Sequence, residues 1–251
     1  MRERPVAAGS PIRRQSLADS VYETLVEAIV AGRMAPGEEL SAVALSAQLQ
    51  VSRTPVTEAL QRLEHDGLVE QAANHPPRVV RLAPQDIDEI YELRLHLEAA
   101  AAERAATRMD RATLAGLRAR TRQIDAARDA LDWPEQAIEF DLQFHAAIAQ
   151  CCGNRRLAQD IERYRRLVRS FCRLTGSQDN IEAAFGEHLA ILDALEAGRP
   201  AAARRAMTMH IRQRKEVVLR ELTAALHPSA EDQRPMAGPP GRNILAPTAS
   251  E

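Results

Sequence analysis

Aromatic residues are scarce in this chain, with Phe, Trp and Tyr together supplying 3% of 251 residues. Sheets draw on aromatic and β-branched side chains, so this scarcity, set against abundant Leu and Ala, points to helices. Cysteine is also rare: only Cys151, Cys152 and Cys172 are present. Neighbours in sequence do not readily bridge each other, and an odd count argues against a disulfide framework, so a reducing cytoplasm is the expected compartment. The opening stretch MRERPVAAGSPIRRQ lacks the apolar segment of a signal peptide, and no hydrophobic run reaches the length of a bilayer span. These absences predict a soluble protein with no membrane partner. Excess charge of either sign is missing too, the formal net charge being -2. Residues 1–82 hold nine Arg, no Lys and ten acidic residues. If that segment binds nucleic acid, it does so through individually placed arginines and not through bulk charge. What is plentiful is apolar matter, 45% of the chain, enough for a sizeable core.

The chain is organised around residues 41–63, SAVALSAQLQVSRTPVTEALQRL. Leu45, Leu49 and Val51, then Val56, Ala59, Leu60 and Leu63, recur at helical spacing. Ser41 and Ser52 are placed to cap two short helices, and Pro55 falls in the first turn of the second, where a missing N–H costs little. Packing along the shared apolar face turns Ser52, Arg53, Thr54 and Thr57 outward, a polar helix start suited to base edges and phosphates in the major groove. Upstream, a helix is expected from near Ser16, with Asp19 three residues on as a capping-box variant. Downstream, Leu68-Val69 and Val79-Val80 bracket EQAANHPPR, which Pro76 and Pro77 keep out of helix, so a hairpin wing is expected. His75 and Arg78 lie in that wing. Helix, two-helix motif and wing together predict a winged helix-turn-helix over residues 16–82, preceded by a flexible arm over residues 1–15.

Beyond Leu82–Pro84 the pattern turns wholly helical. Pro84 starts a long helix. Further helices are expected over about 110–130, from a cap at Asp132 to Cys152, through RRLAQDIERYRRLVRSFCRL, from near Asp179 to Ala197, and from Pro200 to about Leu226. The fold class is therefore mostly α, with the winged helix-turn-helix followed by an antiparallel helical bundle over residues 83–227. Residues 228–251, rich in Pro, Gly, Ala and Ser, read as a disordered tail.

The inward face of the helix after Asp132 reads Ile138, Leu142, Ile148 and Ala149, and Asp141 and His145 share it one turn apart. His188 falls among Ile181, Phe185, Ile191 or Leu192, and Leu195. His210 falls among Ala203, Met207 and Val217. One carboxylate and three imidazoles thus point into one interior from three helices. A buried unpaired carboxylate is costly, and a divalent metal of the zinc, nickel or manganese class, held by neutral histidines and a carboxylate, removes the cost. Singly, a histidine on an apolar face is more often a satisfied core residue than a ligand, and Asp141 with His145 is readable as an intrahelical pair; it is the three histidines together with the aspartate that point to a metal. Arg94 sits on the inward face of its own helix with Ile87, Ile90 or Tyr91, Ala101 and Ala105. It either pairs with Glu98 one turn on or forks a small carboxylate ligand beside the metal. In the second case Arg94→Ala removes ligand-induced stabilisation and leaves the apo fold intact. Arg163, Arg165, Arg166 and Arg169 read as a solvated face, the alternative being that one of them reaches the cavity. His65 ends the second motif helix, His96 falls off the inward face, and His227 adjoins the tail.

VSRTPVTEALQRLEHDGLV closely resembles the winged-helix signature of GntR-type bacterial transcription regulators. DLQFHAAIAQCCGNRRL and EHLAILDALEAGRPAAARRAMTMHI resemble the ligand-binding FCD domain of their FadR-like branch. The resemblance covers roughly residues 17–226. It implies a homodimer that reads a palindromic operator in double-stranded DNA. It also implies a helical effector domain that holds a divalent metal by an Asp and three His, here Asp141, His145, His188 and His210, and a small carboxylate effector bound beside the metal near Arg94. Asn154 stands where the family often has a pocket asparagine, although a helix cap explains it equally. The chain departs from the family at Thr57, usually arginine; at Ala42, usually acidic; at Gln50, commonly glycine; and in the wing tip, where a glycine is replaced by His75-Pro76-Pro77-Arg78. These departures predict an operator sequence that differs from the family's common one. Together the readings predict a metabolite-responsive repressor and not an enzyme. The alternatives are a metal-dependent enzyme acting on small carboxylates and a regulator for which the metal itself is the signal.

Overall fold

The computed structural model describes residues 16–174 and 177–226; the expected arm over residues 1–15 and the tail over residues 228–251 lie outside the described residues. Among the described residues nine helices and two short strands follow one another. The chain divides into two compact units, one built from residues 16–29 and 34–80 and the other from residues 30–33 and 81–226.

The first unit contains α1 (Leu17–Val30), α2 (Ala42–Gln48), α3 (Arg53–His65), β1 (Val69–Glu70) and β2 (Arg78–Val79). The capping box expected before α1 is present: Asp19 N–H donates to Ser16 Oγ at 3.1 Å, and Ser16 N–H donates to Asp19 Oδ2 at 3.0 Å. Arg62 ties α3 back to α1, with Nη1 2.8 Å from Asp19 Oδ1 and its guanidinium 4.4 Å over the Tyr22 ring. Ser41 Oγ accepts from Ala44 N–H at 3.4 Å, but Ser52 caps α3 by backbone position alone, with no side-chain bond. The tight turn between α2 and α3 puts Gln50 at φ +55°, a left-handed conformation that side chains resist. That accounts for the glycine to which the resemblance pointed at this position. The hairpin pairs Val69 with Val79 and Glu70 with Arg78, and Asn74 takes the positive φ of +63° in its loop.

The second unit contains α4 (Pro84–Ala105), α5 (Arg111–Ala126), α6 (Trp133–Cys151), α7 (Arg155–Leu174), α8 (Gln178–Glu196) and α9 (Pro200–Leu226). Pro84 opens α4, and Asp86 Oδ2 accepts from Ala83 N–H at 2.7 Å. The alanine run of α4 lets neighbouring helices approach closely, and α4 packs against α6, α7, α8 and α9. The buried stripe of α6 is Ala137, Phe140, Phe144, His145 and Ile148, with Ile138 and Leu142 only half-buried. The stripe is thus turned toward the two phenylalanines relative to the sequence expectation, because Phe140 and Phe185 meet across the core at 5.6 Å. In α9 it is likewise Val218, with Ala203, Met207 and Ile211, that is buried, while Val217 is half-buried. Asp132 does not cap α6 with its side chain; its carboxylate accepts from Gln136 Nε2 at 2.9 Å instead. α5 ends at Ala126, short of Ala130, and Trp133 Nε1 closes over it by donating to Ile124 O at 2.8 Å.

Candidate functional site

In the first unit, the start of α3 is amphipathic by sequence and stays so in three dimensions. Pro55, Val56, Ala59, Leu60 and Leu63 are buried, while Ser52, Arg53, Thr54 and Thr57 are exposed together on the opposite side. Thr57 Oγ1 donates back to Arg53 O at 3.0 Å, so its hydroxyl is engaged within the helix. His75 is exposed in the wing, and exposed Arg78 is ion-paired with Glu39. This face carries the donors a major-groove contact needs, with Arg53 as its cation.

In the second unit, α6 supplies Asp141 and His145, α8 supplies His188 and α9 supplies His210. One ligand atom from each of these four lies within 4.8 Å of all the others. Asp141 is half-buried and the three histidines are fully buried. Asp141 Oδ1 is 3.1 Å from His188 Nε2 and 3.6 Å from His145 Nε2. The outer nitrogens of two histidines are held from behind. His145 Nδ1 meets Glu98 Oε2, and His210 Nδ1 lies 2.7 Å from Glu187 Oε2. Carboxylates behind imidazoles fix tautomer and ring orientation, the usual support for a metal-bound histidine.

Electrostatics point the same way. Burial, then the neighbouring imidazole of His145, pushes His188 well below the ordinary histidine range. Burial, then His188 and His145, does the same to His210. Both rings are therefore neutral with free lone pairs, the form a metal binds. Burial opposes ionisation of Glu98, yet Arg94 and His145 together hold its carboxyl well below the usual range. Burial raises Glu187, partly offset by Arg214. His188 Nε2 meets Asp141 Oδ1, and His145 Nε2 and His210 Nε2 are buried with no hydrogen bond. Buried ring nitrogens left unsatisfied are costly, and a single cation held by one nitrogen of each ring removes that cost. The donor set fits a divalent ion of the zinc, nickel or manganese class.

Beside the cluster lies a cavity of about 60 Å³, lined on its polar side by Arg94, Asp141, Arg165, Asn180, His188 and Arg214. Arg94 Nε donates to Glu98 Oε1 at 2.8 Å, so the intrahelical pairing left open by the sequence is present, in a residue that also lines the cavity. Arg165 is the arginine of its cluster that leaves the solvated face and reaches the cavity: it is buried and paired with Asp141 Oδ2. Glu187 is a residue that sequence reasoning missed, although its place one residue before an inward histidine and one turn before Ile191 was visible. Asn154 does not meet the expectation of a pocket residue. It is exposed at the start of α7, where its Oδ1 accepts from Leu157 N–H at 3.2 Å as a helix cap, and it does not line the cavity.

Residues 17–79 match the family described as bacterial regulatory proteins, gntR family, and residues 89–213 match the FCD domain. An HTH-type transcriptional regulator from the TAR-I ttuE-ttuC' intergenic region of Agrobacterium vitis is 34% identical over 149 residues, covering 58% of this chain and 86% of that protein. The HTH-type transcriptional repressor NanR of Cronobacter sakazakii is 28% identical over 223 residues, covering 80% of this chain and 85% of the repressor. Among solved structures, Escherichia coli McbR/YncC superposes with a TM-score of 0.66 at 24% identity, over 82% of this chain and 98% of that one, a likeness of fold. Among the described residues, no helix is long and apolar enough to cross a membrane. With an exposed polar helix face in one unit and a histidine–carboxylate cluster in the other, the chain belongs to the gntR family of bacterial regulatory proteins and carries an FCD domain as its second half.

Proposed function

We propose that this regulator is a repressor that binds a palindromic operator as a homodimer and releases it when a small carboxylate enters the cavity beside a divalent metal. The observation that supports this most is the convergence of Asp141, His145, His188 and His210 next to a cavity walled by Arg94, Arg165 and Arg214. A bound ion supplies a fixed positive charge facing the cavity. Arg94 and Arg165 orient an incoming carboxylate by donating from two sides, and the apolar remainder of the wall excludes water. Glu98 and Glu187 are each committed to a histidine, so neither is left as a general base, which favours regulation over turnover.

The coupling route follows from chain order. α4 starts at Pro84, a few residues after β2 ends at Val79, and carries both Arg94 and Glu98. A ligand that draws on Arg94 biases α4, and with it the geometry in which the dimer presents Arg53, Thr54 and the wing residues His75 and Arg78. Linkage then requires that operator and effector each weaken the other's binding.

The test is a mobility-shift assay with metal-loaded protein on DNA upstream of its own coding region. A sequence-specific, salt-sensitive shift reversed by a carboxylic acid is expected. Absence of any specific shift, or turnover of the acid, overturns the proposal. Affinity that tracks metal alone, with no organic ligand, assigns the protein to metal sensing instead.

A further inference from the structure

Three arginines line the cavity, and each is already held by a carboxylate. Arg94 Nε donates to Glu98 Oε1 at 2.8 Å, Arg214 Nη2 donates to Glu187 Oε1 at 2.8 Å, and Arg165 meets Asp141 Oδ2. Each carboxylate in turn has its second oxygen on the cluster. Glu98 Oε2 meets His145 Nδ1, Glu187 Oε2 lies 2.7 Å from His210 Nδ1, and Asp141 Oδ1 is 3.1 Å from His188 Nε2. Three guanidiniums and three carboxylates balance in charge. The arginines are therefore not spare cations waiting for a ligand. Whatever draws on one of them takes it from a carboxylate that belongs to the cluster or backs one of its histidines. These chains are also shielded from water: Arg94 and Glu98 are 1% and 2% exposed, Arg214 and Glu187 15% and 16%. In such surroundings a carboxylate released by one partner shifts against the other, because little solvent is at hand to replace the lost bond.

We infer that Arg94 and Arg214 are positioning residues for the metal, fixing His145 and His210 through Glu98 and Glu187. This rests on the reading of the cluster as a metal site and specifies how that site is regulated. A carboxylate behind a ligating imidazole sets the tautomer and aim of the ring. A guanidinium behind that carboxylate sets the aim of the carboxylate. Arg214 does so with a forked grip, its Nη1 donating to Asn180 O at 2.7 Å while Nη2 holds Glu187. An ammonium at the same place keeps the charge but presents a point and not a fork. An anion in the cavity that recruits either guanidinium thereby acts on the ion's ligands without having to touch the ion.

The experiment titrates full-length protein with zinc alone, against a chromophoric chelator. Arg214→Lys keeps the charge and breaks the fork, and zinc affinity is expected to fall about three- to tenfold. That is less than the loss of about 10- to 100-fold expected of Glu187→Gln, because the arginine acts one bond further out. In the Glu187→Gln background the same substitution is expected to change nothing, because the link it acts through is gone. Arg94→Lys with Glu98→Gln forms the same square for His145. The Arg214 and Glu187 square, being less buried, carries the test if the other folds poorly. Cobalt in place of zinc gives a second readout. Its visible absorption is expected to change in Arg214→Lys and Glu187→Gln alike, while the melting temperature of the chelated variants stays close to that of the unmodified chain. Unchanged zinc affinity in Arg214→Lys, or an equal loss in both backgrounds, overturns the inference while leaving the metal site standing. An unmodified chain that does not bind zinc removes the metal site and the inference with it.

Discussion

Glu187 Oε2 lies 2.7 Å from Nδ1 of His210, while its Oε1 accepts from Arg214 Nη2 at 2.8 Å. One carboxylate therefore fixes the His210 ring and is itself fixed from the same helix, α9. The other nitrogen of that ring is left for the cluster. Glu187→Gln keeps the shape but replaces a charged acceptor with a neutral one. Metal affinity is expected to fall about 10- to 100-fold, with little change in the melting temperature of chelated protein. Titration calorimetry with zinc checks this. Unchanged affinity would remove Glu187 from the site.

Arg94 and Glu98 are paired in full burial, at 1% and 2% exposure. Removing the guanidinium strands a carboxylate that burial already disfavours. Arg94→Ala is therefore expected to destabilise even the metal-free protein by about 3–5 kcal/mol. This corrects the sequence-based expectation of an intact apo fold. Urea denaturation of chelated protein, followed by the fluorescence of buried Trp133, measures it. A midpoint equal to that of the unmodified chain would show the pair to be energetically idle.

The cluster itself predicts a dependence on metal. An ion bound only by the folded state adds about 2.7 kcal/mol when its free concentration is a hundred times Kd. Chelation should lower the melting temperature, and re-addition of zinc should restore it. In His188→Ala the two states should melt alike, because one of the four ligands is gone, and comparing each state of the variant with the other cancels the lost contact to Asp141. A chelator effect that persists in this variant places the ion elsewhere.

Helix periodicity carries direction, so the inward placement of His145, His188 and His210 was legible from the apolar residues around each. Partners from distant helices were not. Arg165 sits in the run RRLVR, and nothing local separates it from the half-buried Arg166 and Arg169; its burial follows from Asp141, 24 residues earlier on a facing helix. Glu187 pairs with residues of α9, again across a helix boundary. The α6 face was misjudged by a fraction of a turn for a related reason: Ile and Leu outrank Phe in neither size nor burial, and Phe140 claims the centre once Phe185 is opposite it. The cap at Asn154 was readable locally, because the Gly-Asn break before a helix is itself a cap signal.

On the α3 face proposed to read DNA, Arg53 and Thr57 are both exposed but differ in what they can offer. Arg53 presents a guanidinium. Thr57 has its hydroxyl turned to Arg53 O at 3.0 Å. Arg53→Ala is expected to cost about 1–3 kcal/mol of operator affinity and to relax specificity at one base pair in each half-site. Thr57→Ala should change little. Thr57→Arg, which restores the residue usual in the resembling family, should shift preference toward a guanine-containing half-site. Binding to randomised operators reads all three. Equal losses for Arg53→Ala and Thr57→Ala would mean that the two act as one contact.

Asp19 gives the first unit a pH dependence with a definite sign. Burial opposes its ionisation, but hydrogen bonds from the Ser16 side chain, from Arg62 and from the Ser16 backbone hold its carboxyl below 3.8. A carboxyl that is more acidic folded than unfolded stabilises while ionised. The contribution is complete above the unfolded value and disappears as pH falls through the folded one. The group is mostly solvated, so its contribution is small, about 1 kcal/mol or less after screening. In Asp19→Asn, the amides of α1 should therefore exchange with solvent faster than in the unmodified chain at pH 7, by up to about fivefold. The difference should begin to close only as pH falls below the unfolded value of 3.8 and should vanish once pH has passed below the lower folded one, where the native carboxyl is also protonated. A difference that stays constant across that range would assign the effect to hydrogen-bond geometry at the cap and not to charge.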